Sequence, residues 1–200
     1  MWDVFLAGGP MMWPLLACSV AALAVVLERC WFWRKLGLAR DASQAAKLLR
    51  EGRPGEGCQG LVAAMLNAGL AAPPGKSGKA MEVVALAGVA RMRKGMNILD
   101  TIITAAPMLG IMGTVLGIIS SFDMLGASGV GDPKAVISGI AQALLTTAFG
   151  LGIAVFVIFP YNYFNARIEA ALDLLEAYAD RLEITLACGS GDIPDAPAKS

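Results

Sequence analysis

Histidine is absent from all 200 residues, and with it go the commonest general base and the usual near-neutral proton relay. Any proton chemistry must use carboxylates. Cysteine is sparse: Cys18, Cys30, Cys58 and Cys188 show no CxxC spacing, so the sequence predicts ordinary thiols, no metal site and no cofactor. Charge is scarce as well. Charged residues make up 16% against 56% hydrophobic ones, too little polar surface to clothe a water-soluble globule. The 16 Lys and Arg balance the 16 Asp and Glu, which leaves no basic footprint for nucleic acid. Gly75-Lys76-Ser77 is no phosphate loop, because five residues separate it from Gly69 where the motif needs four, and two of them are prolines.

What is present is long apolar runs. Met11 to Leu27 is apolar except for Ser19 and ends at Glu28-Arg29 and the aromatic cluster Trp31, Phe32, Trp33, a pattern of a span meeting an interface. The Met1–Pro10 segment carries Asp3 and no basic residue, so this run lacks the start of a secretory signal and is expected to remain as a span. Between Asp100 and Asp123 lie 22 uncharged residues, which as a helix reach roughly 33 Å and cross a hydrocarbon core. From Ala135 to Ala166 no charge appears for 32 residues, so a third helix runs past the interface near Tyr161 and Tyr163. Asp132-Pro133 reads as a cap followed by proline at the first helical position.

Eleven of the basic residues fall between Arg34 and Asn97, against Lys134 alone in the loop that follows Asp123. The positive-inside rule then places the large loop and the C-terminus in the cytoplasm and the N-terminus outside. Within that loop, turns at Gly52–Gly57 and Pro73-Pro74-Gly75 separate short helices around Ala42–Arg50 and Leu61–Ala71. From Lys79 to Pro107 no breaker stronger than glycine occurs, which predicts that the second span continues as a helix into the cytoplasm. After Asn165, Ile168, Leu172, Leu175, Ala179, Leu182 and Leu186 recur at three and four with acidic residues between them, a helical extension with one buried stripe. The expected division is 1–33 (N-terminus and first span), 34–97 (cytoplasmic helical region), 98–164 (second and third spans), 165–188 (helical extension) and 189–200 (disordered tail).

Small residues recur along both later spans: Ala106, Gly110, Gly113, Gly117 and Ser121 on the second, Gly139, Ala143, Thr147, Gly150 and Ala154 on the third. Helices approach closely along such stripes. Polar groups lie at depth beside them: Thr114, Thr146, Thr147 and Gln142. Two readings stand side by side. The threonines satisfy their hydroxyls on their own helices, or they line an ion pathway with Gln142, whose amide needs several partners. Neither span holds Asp, Glu, Lys or Arg within its uncharged stretch, so a titratable carrier would have to come from another polypeptide.

The stretches AAPMLGIMGTVLGIISSF (Ala105–Phe122) and ISGIAQALLTTAFGLGIAVFVIFPYNYF (Ile137–Phe164) resemble the two signature helices of the ExbB/TolQ/MotA proton-channel family. Three spans with the large loop after the first resemble its ExbB and TolQ members. The resemblance implies a homo-pentameric ring in the bacterial inner membrane. That ring encloses the single helix of a partner like ExbD or TolR, which carries an aspartate and works with a TonB- or TolA-like protein. It maps the family's pore threonines onto Thr114 and Thr147 and its second-helix proline onto Pro107. Two positions depart from the pattern: Gln142 stands where many relatives have glutamate, and Phe156 where a mid-helix proline is usual.

The fold expected is thus an all-α integral membrane protein of three transmembrane helices, the second and third long and extending into the cytoplasm, assembled as a ring. The function expected is the channel-forming subunit of a transducer driven by the proton-motive force. A non-conducting scaffold for partner helices and a sodium-driven version are the alternatives, while the residues of a membrane enzyme are lacking.

Overall fold

The computed structural model describes residues 8–36, 60–73, 75–128 and 133–188. The expected helix at Ala42–Arg50, the turn at Gly52–Gly57, Asp132 and the tail 189–200 lie outside them. Five helices follow in order: α1 Met12–Leu36, α2 Leu61–Ala71, α3 Ser77–Arg93, α4 Met96–Ser128 and α5 Pro133–Cys188. No strand occurs among the described residues. Three helical stretches are long and apolar enough to cross a membrane: Met12–Leu36, Ser77–Asp123 and Ile137–Arg181.

The chain forms two compact units, Met1–Cys30 with Gly95–Phe164, and Trp31–Lys94 with Asn165–Ser200. In the first, Gly9 at φ 71 turns the chain into α1, and its carbonyl accepts the amide of Met12 at 3.1 Å. Met12, Leu15 and Ala22 are buried, while Trp13, Leu16, Val20, Leu23 and Leu27 stand exposed at spacings of three and four. A soluble helix would hide that second face; a helix in lipid need not.

α4 runs unbroken through Pro107, and α5 unbroken through Pro160 for 56 residues from its first residue, Pro133. Each internal proline lacks an N–H, so the carbonyls of Ile103 and Phe156 lose their helical donors. The second span does not continue as one helix into the loop region, as the run from Lys79 to Pro107 suggested. The chain breaks at Lys94–Gly95, where Gly95 takes φ 81 and starts α4 by accepting the amide of Ile98 at 3.1 Å. That left-handed conformation is open to glycine without a Cβ penalty.

In the second unit, α2 occupies the expected residues and packs on α3 through Val62, Met65 and Leu66 on one side and Met81, Val89 and Met92 on the other. Gly88 lets Leu61 lie against the α3 backbone. Along the end of α5 the buried positions are Ile168, Ala171 and Leu175, with Leu172 half-buried, so the stripe sits slightly round from the one read in the sequence. At the end of α1, the Lys35 ammonium lies 3.7 Å from the Trp31 ring, and the Arg167 guanidinium 5.4 Å from that of Trp33. Both are cation–π geometries.

Candidate functional site

α4 and α5 meet backbone to backbone. A methyl added to Gly150 would stand 2.5 Å from the Ala106 carbonyl oxygen and 3.1 Å from the Gly110 Cα; one added to Gly110 would stand 3.0 Å from the Thr147 Cα. One turn on, Gly113 faces the Thr146 side chain and Gly117 faces Ala143 and the Gly139 carbonyl; Gly139 in turn lies against Ser121. The structure thus brings Ala106, Gly110, Gly113, Gly117 and Ser121 onto one antiparallel seam with Gly139, Ala143, Thr146, Thr147 and Gly150. Ala154, one turn beyond, is buried on the same helix. Dispersion over closely spaced backbones, rather than a hydrophobic effect, holds such a seam in lipid.

The hydroxyls divide into two kinds. Thr146 is buried and returns its hydroxyl to its own helix, donating to the Ala143 carbonyl at 2.7 Å. Thr114 does the same to the Ile111 carbonyl at 2.6 Å, but is only half-buried. Thr147 alone of the three crosses between helices, donating to the Gly110 carbonyl at 3.0 Å. In α4 the helical donor to that carbonyl is the N–H of Thr114, so both threonines converge on one oxygen. Pro107 is half-buried one turn before it.

Gln142 lies apart from this convergence. Its amide packs against Gly9 in the turn before α1, where a Cβ would overlap the amide nitrogen. Spacing within α5 gave no sign of that contact, because its other half comes from the far end of the chain. An apolar groove of about 650 Å³ between α1 and α5 is lined by Ser19, Ala22, Gly152 and Phe156 among others and offers no ionisable group. Among the described residues, no three of His, Cys, Asp or Glu gather where a metal ion would bind.

Residues 59–177, which include the whole α4–α5 seam, match the MotA/TolQ/ExbB proton channel family. The chain belongs to this family. Among its relatives, an ExbB-like biopolymer transport protein of Synechocystis sp. is 35% identical over 199 residues, covering 91% of this chain and 77% of the relative. TolQ of the Tol-Pal system of Pseudomonas aeruginosa is 32% identical over 108 residues, 54% of this chain and 47% of that protein. ExbB of Xanthomonas campestris is 32% identical over 100 residues, 50% of this chain and 40% of its own length. As a MotA/TolQ/ExbB member of the ExbB/TolQ kind with three apolar helices, the chain is a multi-pass membrane protein.

Proposed function

We propose that this chain is the channel-forming subunit of an inner-membrane transducer driven by the proton-motive force, in which copies of the chain, five in the family arrangement, enclose the single helix of an ExbD- or TolR-like partner. The N-terminus faces the periplasm and the large loop the cytoplasm. A proton moving down the membrane potential neutralises the partner's aspartate beside Thr114 and Thr147, and the neutral helix shifts within the ring. Force then passes, through a TonB- or TolA-like protein, to a process of the outer envelope. One charge crossing 100 mV is worth ~2.3 kcal/mol, enough to bias such a shift.

The observation that carries this reading is the Thr147 hydroxyl crossing the seam to the Gly110 carbonyl, the helical partner of the Thr114 amide, at the edge of a helix pair with no titratable group of its own at that depth. The Gly110 carbonyl with the Thr147 hydroxyl on it, and the Thr114 hydroxyl on the Ile111 carbonyl a turn further along α4, offer oxygens to a passing ion or to a foreign carboxyl, but none can carry a proton by itself. The test is proton flux in liposomes holding the chain with its partner: Thr147→Val should stop the flux, and unchanged flux would remove the pore role.

One observation favours a second reading, a non-conducting scaffold. Gln142 cannot titrate near neutral pH and is held by the N-terminal turn. A scaffold would be indifferent to a protonophore, whereas the transducer's cellular phenotype would vanish with it. Replacing sodium by potassium in the flux assay tells a sodium-driven version from a proton-driven one.

A further inference from the structure

Two sides of α4 are taken in the protomer. One is the seam with α5. The other borders a groove toward α1, where Asn97, Ile98, Thr101 and Ile102 stand opposite Ala17, Cys18 and Ala21. Between them runs a third face on which Asp100, Thr104, Ile111 and Thr114 recur, within an arc of about 80° at 100° per residue. Asp100, Thr104 and Ile111 are exposed and Thr114 is half-buried, so neither neighbouring helix covers this face.

Asp100 is the carboxylate that opens the uncharged stretch of α4, about 21 Å along the helix from Thr114. No cation among the described residues pairs with it. The Thr104 hydroxyl, one turn on, donates to the backbone carbonyls of Thr101 at 3.0 Å and Asp100 at 3.3 Å. That leaves the lone pairs of Thr104 free to accept, on the path between the carboxylate and Thr114.

We propose that Asp100 is a positioning residue of the ion pathway: its carboxylate sets a negative potential at the cytoplasmic mouth of the α4 face that leads to Thr114. Cations leaving or entering that mouth are stabilised there, and the proton itself passes to water. Repeated in every copy around a ring, the group becomes a circle of carboxylates of the kind that favours cations over anions. The proposal rests on the transducer reading above and adds to it a group from this chain, where that reading draws its only carboxylate from the partner.

The experiment reconstitutes the chain with its single-span partner in liposomes and follows proton flux for the native complex and for Asp100→Asn, Asp100→Glu and Thr147→Val, each checked for intact assembly by size-exclusion chromatography. With the gradient set so that protons enter at the cytoplasmic mouth, Asp100→Asn at low ionic strength should lower flux by about tenfold, the lower end of what focused charge does to the local ion supply. Asp100→Glu should restore it. In ~1 M potassium chloride, where the screening length is ~3 Å, the Asn variant should equal the native complex. A structural defect would not respond to salt, so a deficit that persists at high salt overturns the proposal, as does full flux in Asp100→Asn at low salt or failure of glutamate to rescue. If Thr147→Val blocks flux and Asp100→Asn does not, the inference about Asp100 fails alone. If Thr147→Val conducts normally, the transducer reading fails with it.

Discussion

The hydroxyl of Thr147 on α5 donates across the seam to the Gly110 carbonyl of α4 at 3.0 Å, whereas its neighbour Thr146 turns back to the Ala143 carbonyl of its own helix at 2.7 Å. Thr→Val at the two positions removes the same atom with different consequences. Interhelical hydrogen bonds in membranes average ~0.6 kcal/mol, and Thr147→Val should lose about that much in an unfolding titration in detergent. Thr146→Val keeps the buried shape, and the Ala143 carbonyl keeps its helical N–H donor. It should leave both stability and proton flux near native.

Gly150 and Gly152 lie two residues apart on α5 but in opposite surroundings. Gly150→Ala drives a methyl to 2.5 Å from the Ala106 carbonyl oxygen, with backbone on both sides and nothing flexible to give way. The helices must part, at a cost of about 1–3 kcal/mol. Gly152→Ala meets nothing within 4 Å and should be neutral or slightly stabilising through helix propensity. Thermal unfolding of the two variants, followed by circular dichroism, checks the difference.

Gly9 takes φ 71 and a Cβ there would overlap the Gln142 amide, so Gly9→Ala has two separate causes of loss. Only the overlap depends on Gln142. In a Gln142→Ala background the penalty of Gly9→Ala should therefore shrink, with a coupling of about 0.5–3 kcal/mol in the double-mutant cycle. Additive effects would mean that the N-terminal turn does not rest on Gln142.

The break between α3 and α4 rests on Gly95 at φ 81. Gly95→Ala should destabilise by about 1–2 kcal/mol from the left-handed backbone alone, and its methyl would also press on Val25 at 3.2 Å. Gly75→Ala carries the same φ in open space and isolates the backbone part of the effect. Equal losses in the two variants would show that Val25 adds nothing.

Periodicity made much of this legible. The small residues at 106, 110, 113 and 117 and at 139, 143 and 150 form a seam because a three-and-four spacing can place them on one helical face, whereas Ala105, Ala141, Ala148 and Gly152 fall off it. The start of α5 at Pro133 was legible because proline fixes the first helical turn. The break at Gly95 was not, since glycine inside an apolar helical pattern is common and only its φ tells a hinge from a tolerated residue. Nor was the Gly9–Gln142 contact, which joins positions that no local period relates. In the sequence Asp100 only bounds an uncharged stretch. Its place on the uncovered face depends on α1 and α5 occupying the other two, which no local period encodes.

The backbone-to-backbone seam also limits what can move. Sliding α4 along α5 would push the side chains now seated on glycines, Thr146 on Gly113 and Ser121 on Gly139, against neighbours that leave no such gap, so the pair behaves as one rigid plank with a single register. In the proposed transducer, whatever displacement the ion drives must then fall to a body that does not share this lock, and the two helices serve as the fixed wall against which it works.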